Sequence, residues 1–177
     1  MVDEVERLGG SQAESPFAGR LNLNEIAVAG HSLGGLTAWL SVQREARFKA
    51  AVLLDASVLD GSAVVTKTPV LVLAMGRAQW SDQECRLWSD LQGPRFAVNI
   101  RDAEHTTPTD AVWLANGAIK TGTMGPEKTV AALRDYTAAF LDMYLRGQLL
   151  DPLLTGPSSD YPDAAVATQR EPLCGAR

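Results

Sequence analysis

Short apolar runs alternate with longer amphipathic stretches along this chain. Val2, Val5 and Leu8 recur at helical spacing, and Gly9-Gly10 predict where that first helix stops. Residues 11–24 are rich in Ser, Pro, Gly and Asn and read as a loop. Glu25-Ile26-Ala27-Val28-Ala29 is an apolar run ending at Gly30, the pattern of a buried strand. A helical period follows from Leu33 to about Glu45, with Leu36, Leu40 and Arg44 in line and Trp39 beside them. The next strands are Ala50–Leu54, ending abruptly at Asp55, and Pro69–Met75, the clearest of all. A helix from Asp82 to about Gln92 stops before Gly93-Pro94. A fourth strand, Phe96–Ile100, runs into the polar loop Arg101–Asp110. A short helix is expected near Ala111–Asn116, then a Gly-rich turn. The strongest helix covers 126–146, with Pro126 at its start, an apolar stripe through Val130, Leu133, Phe140 and Tyr144, and Gly147 past its end. Residues 148–177 carry four prolines and little periodicity, and are predicted to be a surface tail with little regular structure.

The strands are continuously apolar rather than alternating. That pattern predicts an α/β protein: about four mainly parallel strands, covered by helices on both faces. The length, 177 residues, fits one domain, and 46% hydrophobic residues suffice for a core. Acidic residues outnumber basic ones, 21 to 16, for a net charge of −5, which argues against a nucleic-acid partner. No apolar run approaches the ~20 residues of a membrane span. The first ten residues lack the basic-then-apolar layout of a signal peptide. A cytoplasmic protein is expected if the chain is complete, and a secreted one if an N-terminal part precedes it. Cys85 and Cys174 are too few for a disulfide scaffold and fit no zinc spacing. A bridge between them needs an oxidising compartment and is not expected. No cofactor or metal is called for.

Gly30-His31-Ser32-Leu33-Gly34 matches Gly-x-Ser-x-Gly. With 15 Gly and 10 Ser in the chain, chance supplies about 0.07 such matches. An apolar strand precedes the motif and a helix follows it, as a nucleophile elbow requires. A serine hydroxyl must project from a sharp strand-to-helix turn, and Gly30 and Gly34 are expected to remove side chains that would collide there. The helix N-terminus favours a developing oxyanion, with the N–H of Leu33 as donor. A second donor normally comes from a loop that lies upstream in such folds, and this sequence shows none.

The chain has two histidines. His31 adjoins the serine and points elsewhere, so its expected role is packing or hydrogen bonding beside the elbow. His105, in the loop after the fourth strand, is the candidate base, because loops at strand carboxyl ends converge in parallel sheets. The acid must orient the imidazole from a nearby strand end. Asp55 fits, directly after Ala-Ala-Val-Leu-Leu. The following strand continues Gly76-Arg77-Ala78-Gln79, with no carboxylate. Asp82 is the runner-up, though it reads more readily as a helix cap. Trp113 is a candidate for pocket lining, and Trp80 and Trp88 are more simply packing residues.

The stretches Ala27–Gly35 and Arg47-Phe48-Lys49-Ala50-Ala51-Val52-Leu53-Leu54-Asp55-Ala56 resemble platelet-activating factor acetylhydrolases of the plasma and isoform II type. Ile100–His105 is similar to that family's histidine loop, and Tyr136, Phe140 and Tyr144–Gly147 to its closing helix. The resemblance implies an α/β-hydrolase fold and an acid right after the nucleophile helix and its next strand, favouring Asp55. It covers about residues 17–147 and implies that 1–147 are the C-terminal portion of a catalytic domain, lacking the N-terminal half of the sheet.

The resulting expectation is a serine carboxylic-ester hydrolase with Ser32, His105 and Asp55 as triad, acting on small-molecule or lipid esters, with short or oxidised acyl chains of phospholipid type implied by the resemblance. The alternatives are a non-catalytic remnant or half of a split enzyme, and an acyltransferase using the same triad. An uncovered edge at the Ile26 strand would favour self-association.

Overall fold

The computed structural model describes residues 2–57, 65–77, 79–115, 117–167 and 174. Its elements in chain order are α1 (Val2–Gly9), β1 (Ile26–His31), α2 (Leu33–Arg44), β2 (Phe48–Leu54), β3 (Val70–Met75), α3 (Asp82–Asp90), β4 (Arg95–Ile100), α4 (Ala111–Leu114), α5 (Gly125–Arg146), a 3-10 turn (Pro152–Leu154) and β5 (Ala164–Ala167). The sheet order is β1-β2-β3-β4-β5. The first four strands are parallel and β5 runs antiparallel to β4. Four parallel strands flanked by helices are what the apolar runs predict.

Both faces of the sheet are buried, and strand geometry divides the side chains between them. Ala51 and Leu53 of β2, with Val70 and Val72 of β3, pack against Val2 of α1, Leu36 and Trp39 of α2, and Leu87 and Trp88 of α3. Their neighbours Ala50, Val52, Leu71, Leu73 and Met75 face Leu133, Tyr136 and Phe140 of α5. This period-two alternation lets a strand with no polar residue serve two helix layers at once. β1 lies at the end of the sheet and pairs only with β2 among the described residues.

The tail departs from its expectation. Its β5 extends the sheet, matching Val166 to Val98 and Ala165 to Asn99. Leu154 is fully buried against the α5 face. Asp163 caps α5 from outside, accepting the backbone N–H groups of Thr123 (2.6 Å) and Met124 (3.1 Å) and the Thr123 hydroxyl. Those amides open a helix that has no cap of its own, and a carboxylate suits its N-terminal dipole. Four prolines hid a segment anchored by a few contacts rather than by periodicity. Cys85 and Cys174 also depart from expectation: they form a disulfide across 89 residues, tying α3 to the tail.

Candidate active site

The turn from β1 into α2 is built by close approach. Ser32 lies between β1 and α2 with φ at 57°, and Asp55 and Asp102 are the other non-glycine residues with positive φ among those described. Such conformations cost roughly 1–3 kcal/mol and gather where geometry is imposed by surroundings. A Cβ on Gly30 would fall 2.1 Å from the Gly34 carbonyl oxygen, and one on Gly35 would fall 2.7 Å from the Ala56 Cβ. A Cβ on Gly34 meets nothing within 4 Å among the described residues. The collision expected at Gly34 therefore falls on Gly35, because the helix turns its next residue, and not Gly34, toward β2.

Ser32 Oγ lies 2.8 Å from His105 Nε2, and His105 Nδ1 lies 2.5 Å from Asp55 Oδ2. A carboxylate only accepts, so Nδ1 carries the proton and Nε2 is free to accept from the serine hydroxyl. These residues come from the ends of β1 and β2 and from the loop after β4, which the parallel sheet brings to one edge. Asp55 is buried while the His105 side chain is about half exposed. The other Asp55 oxygen accepts from the Met75 backbone N–H (3.0 Å) and from the Arg77 guanidinium (2.6 Å). His105 therefore faces Asp55, not Asp82. Asp82 opens α3, and the cap there is Ser81, which accepts from the Glu84 amide while Glu84 accepts from the Ser81 amide.

The Leu33 amide, in the first turn of α2, has no carbonyl a turn earlier in its helix to bond. The Ser32 amide is already used, donating to Leu54 O. His31 takes the hydrogen-bonding role: its Nε2–H donates to the His105 carbonyl at 2.7 Å, with the two rings 4.7 Å apart. Three contacts were not anticipated. Ser57 places its hydroxyl 3.3 Å from Ser32 Oγ. Arg77 reaches Asp55, and Asn99, 4% exposed, holds the Arg77 backbone. A buried Asn in the strand that is otherwise apolar from Phe96 to Ile100 was the available signal for the last.

Trp113 lines a cavity of about 490 Å³ with Leu54, Thr107, Leu133, Thr137 and Leu141. Leu54 is next to Asp55 in sequence and Thr107 is two residues after His105, but no residue of the Ser32–His105–Asp55 array lines the cavity itself.

A parallel sheet with a serine elbow after one strand, an aspartate after the next and a histidine loop beyond is the α/β-hydrolase architecture. A solved structure, a ferulic acid esterase from Streptomyces cinnamoneus, is similar over 95% of this chain, with TM-score 0.73 and 27% identity. The match takes in 53% of that chain, so this sequence spans about half the length of its structural relative. Comparison with curated proteins gives no match. Residues 4–121 match the model of the platelet-activating factor acetylhydrolase, isoform II, family, and the chain belongs to that family.

Proposed function

We propose that the chain is a serine carboxylic-ester hydrolase. The observation that carries this reading is the continuous array from Ser32 Oγ through His105 to Asp55. Family membership and the esterase relative support it. In this reading Ser32 Oγ attacks the acyl carbonyl while its proton passes to His105 Nε2. Asp55 holds the Nδ1–H and stabilises the imidazolium. The Leu33 N–H steadies the tetrahedral oxyanion at the α2 N-terminus. Collapse breaks the ester bond, and His105 returns the proton to the departing alcohol. Water, deprotonated by His105, then attacks the acyl-enzyme and restores Ser32 with release of the acid.

The substrate proposed is a small-molecule or lipid ester, with short or oxidised acyl esters of phospholipid type favoured by the family. The structural relative's name makes a ferulate ester the rival. The cavity beside Trp113, where Leu54, Leu133 and Leu141 meet Thr137, Arg134 and Asp110, supplies a surface for a substrate chain. An alcohol in place of water would make the same array an acyltransferase. Fluorophosphonate labelling tests the nucleophile: wild type takes the label and Ser32→Ala does not. Equal labelling of both would sink the assignment. Hydrolysis of p-nitrophenyl acetate, an oxidised phospholipid analogue and methyl ferulate then ranks the substrates, and adding an alcohol acceptor reveals any transfer.

A second reading rests on β1. Its residues are mostly only half-buried, whereas those of β3 are fully buried, and one side of β1 is unpaired among the described residues. Such an edge pairs readily with another strand. Self-association, or completion of the sheet by a second polypeptide, would appear as a mass above that of the 18.9 kDa chain in light scattering. A monomer hydrolysing ester in a Ser32-dependent way would overturn it.

A further inference from the structure

Asp55 has two oxygens, and only one serves His105. The other is gripped by two donors from the end of β3, the Met75 amide at 3.0 Å and the Arg77 guanidinium at 2.6 Å. The Asp55 side chain is 3% exposed and that of Arg77 is 29% exposed. Burying a carboxylate this far costs free energy unless charge and hydrogen bonds compensate, and a guanidinium supplies both.

Arg77 is itself held by two further residues. Asn99, buried in β4, accepts the Arg77 backbone N–H at its Oδ1 (3.0 Å) and donates from Nδ2 to the Arg77 carbonyl (2.8 Å). This pairing leaves one orientation for the Asn99 amide, because reversing it would set donor against donor. On its other side the Arg77 Nε lies 2.8 Å from Glu84 Oε1, and the second Glu84 oxygen is held by the Ser81 amide at the start of α3. The space enclosed by Asp55, Arg77, Trp80, Glu84 and Leu87 is about 20 Å³, so the carboxylate has little room to turn away. A long surface side chain normally samples several rotamers, and this one has its backbone and its head group both restrained.

We infer that Arg77 is a positioning residue for the serine hydrolase array, one that locks the Asp55 carboxylate in the orientation that directs His105 toward Ser32, with Asn99 as its backbone clamp. The inference rests on the proposed triad. Arg77 stands at the end of the strand after the one that carries the acid. It presents a cation there and faces the acid across the β2–β3 edge. Its action is on the geometry and charge of Asp55 and not on substrate, so its removal lowers kcat and leaves KM alone.

The test is ester hydrolysis by Arg77→Ala, Arg77→Lys and Asn99→Ala, with p-nitrophenyl acetate as substrate. Arg77→Ala is expected to lower kcat by about 10- to 100-fold, the scale of a misplaced reacting group, with KM within about twofold. Guanidinium ion at millimolar concentration, entering the space left by the side chain, restores part of the loss. Arg77→Lys, which keeps the charge but not the fork, falls between. Asn99→Ala lowers kcat in the same sense. Unchanged kcat in Arg77→Ala overturns the inference, and so does a loss in Arg77→Lys, folded by circular dichroism, that raises KM instead. Fluorophosphonate labelling separates the two levels. Label that does not depend on Ser32 removes the triad, whereas label that depends on Ser32 with kcat indifferent to Arg77 removes only the positioning role.

Discussion

His31 donates a hydrogen bond from Nε2 to the backbone carbonyl of His105, across 74 residues of sequence. The residue beside Ser32 thus holds the loop that carries His105, the proposed base. The bond is near the surface, and one such bond contributes about 1 kcal/mol. Replacing His31 with Ala is expected to lower kcat about fivefold with little change in thermal midpoint, since the fold does not rest on it. His31→Ala with kcat equal to wild type would show that the loop stands without this tie.

The glycines of the elbow divide by the space around them. Gly30→Ala and Gly35→Ala each force a Cβ into backbone or side-chain atoms closer than 3.0 Å. Overpacking of this kind costs about 1–3 kcal/mol, which calorimetry would read as a lower midpoint. Gly34→Ala has open space and sits in the first turn of a helix, where Ala is the better residue. Its midpoint should equal or exceed that of wild type. A loss at Gly34 as large as at Gly30 would refute the assignment of close packing to Gly35.

Fold class was legible because parallel strands buried on both faces leave unbroken apolar runs, as in Ala50–Leu54 and Pro69–Met75. The candidate site was legible because Gly-x-Ser-x-Gly has few innocent explanations and because only one histidine remained to serve the serine. What escaped were features that periodicity does not encode. Ala164–Ala167 is too short to register as a strand, and the Asp163 cap acts on a helix that begins 38 residues earlier in the sequence. Arg77 was visible only as a missing carboxylate, since a cation that grips an acid on the neighbouring strand has no local signature. The disulfide escaped for the same reason, because spacing alone gives no pairing.

Arg47 gathers acids from two ends of the first layer, bonding Glu6 (2.7 Å) and Asp3 (2.6 Å) of α1 and Glu45 (2.5 Å) before β2. Bonds from the Arg47 side chain and then its backbone N–H hold the Glu45 carboxyl near pH 2, down from an ordinary value of 4.5. A carboxylate with a depressed pKa stabilises the fold above its unfolded value and loses that effect as pH falls through its folded one. Wild type should therefore melt above Arg47→Gln by a steady margin from pH 7 to about 4.5, and the margin should shrink toward pH 2. Added salt should narrow it too, because these groups remain partly open to solvent. A margin that widens on acidification would contradict the sign.

The disulfide between Cys85 of α3 and Cys174 of the tail closes a separation of 89 residues, with Cα atoms 5.7 Å apart. Cross-linking a loop of this length restricts the unfolded chain, for a stabilisation of about 2–4 kcal/mol. In a protein of this size that corresponds to about 5–15 °C in thermal midpoint. Such bonds persist in oxidising surroundings, so the bridge also bears on where the chain works. The check is a pair of melts, wild type and the double variant Cys85→Ser, Cys174→Ser, each with and without reductant. Reductant should lower the wild-type midpoint to that of the double variant and leave the variant unmoved. Coincident midpoints for the oxidised wild type and the variant would mean that the tail is held by β5, Leu154 and Asp163 alone, with the bridge adding nothing.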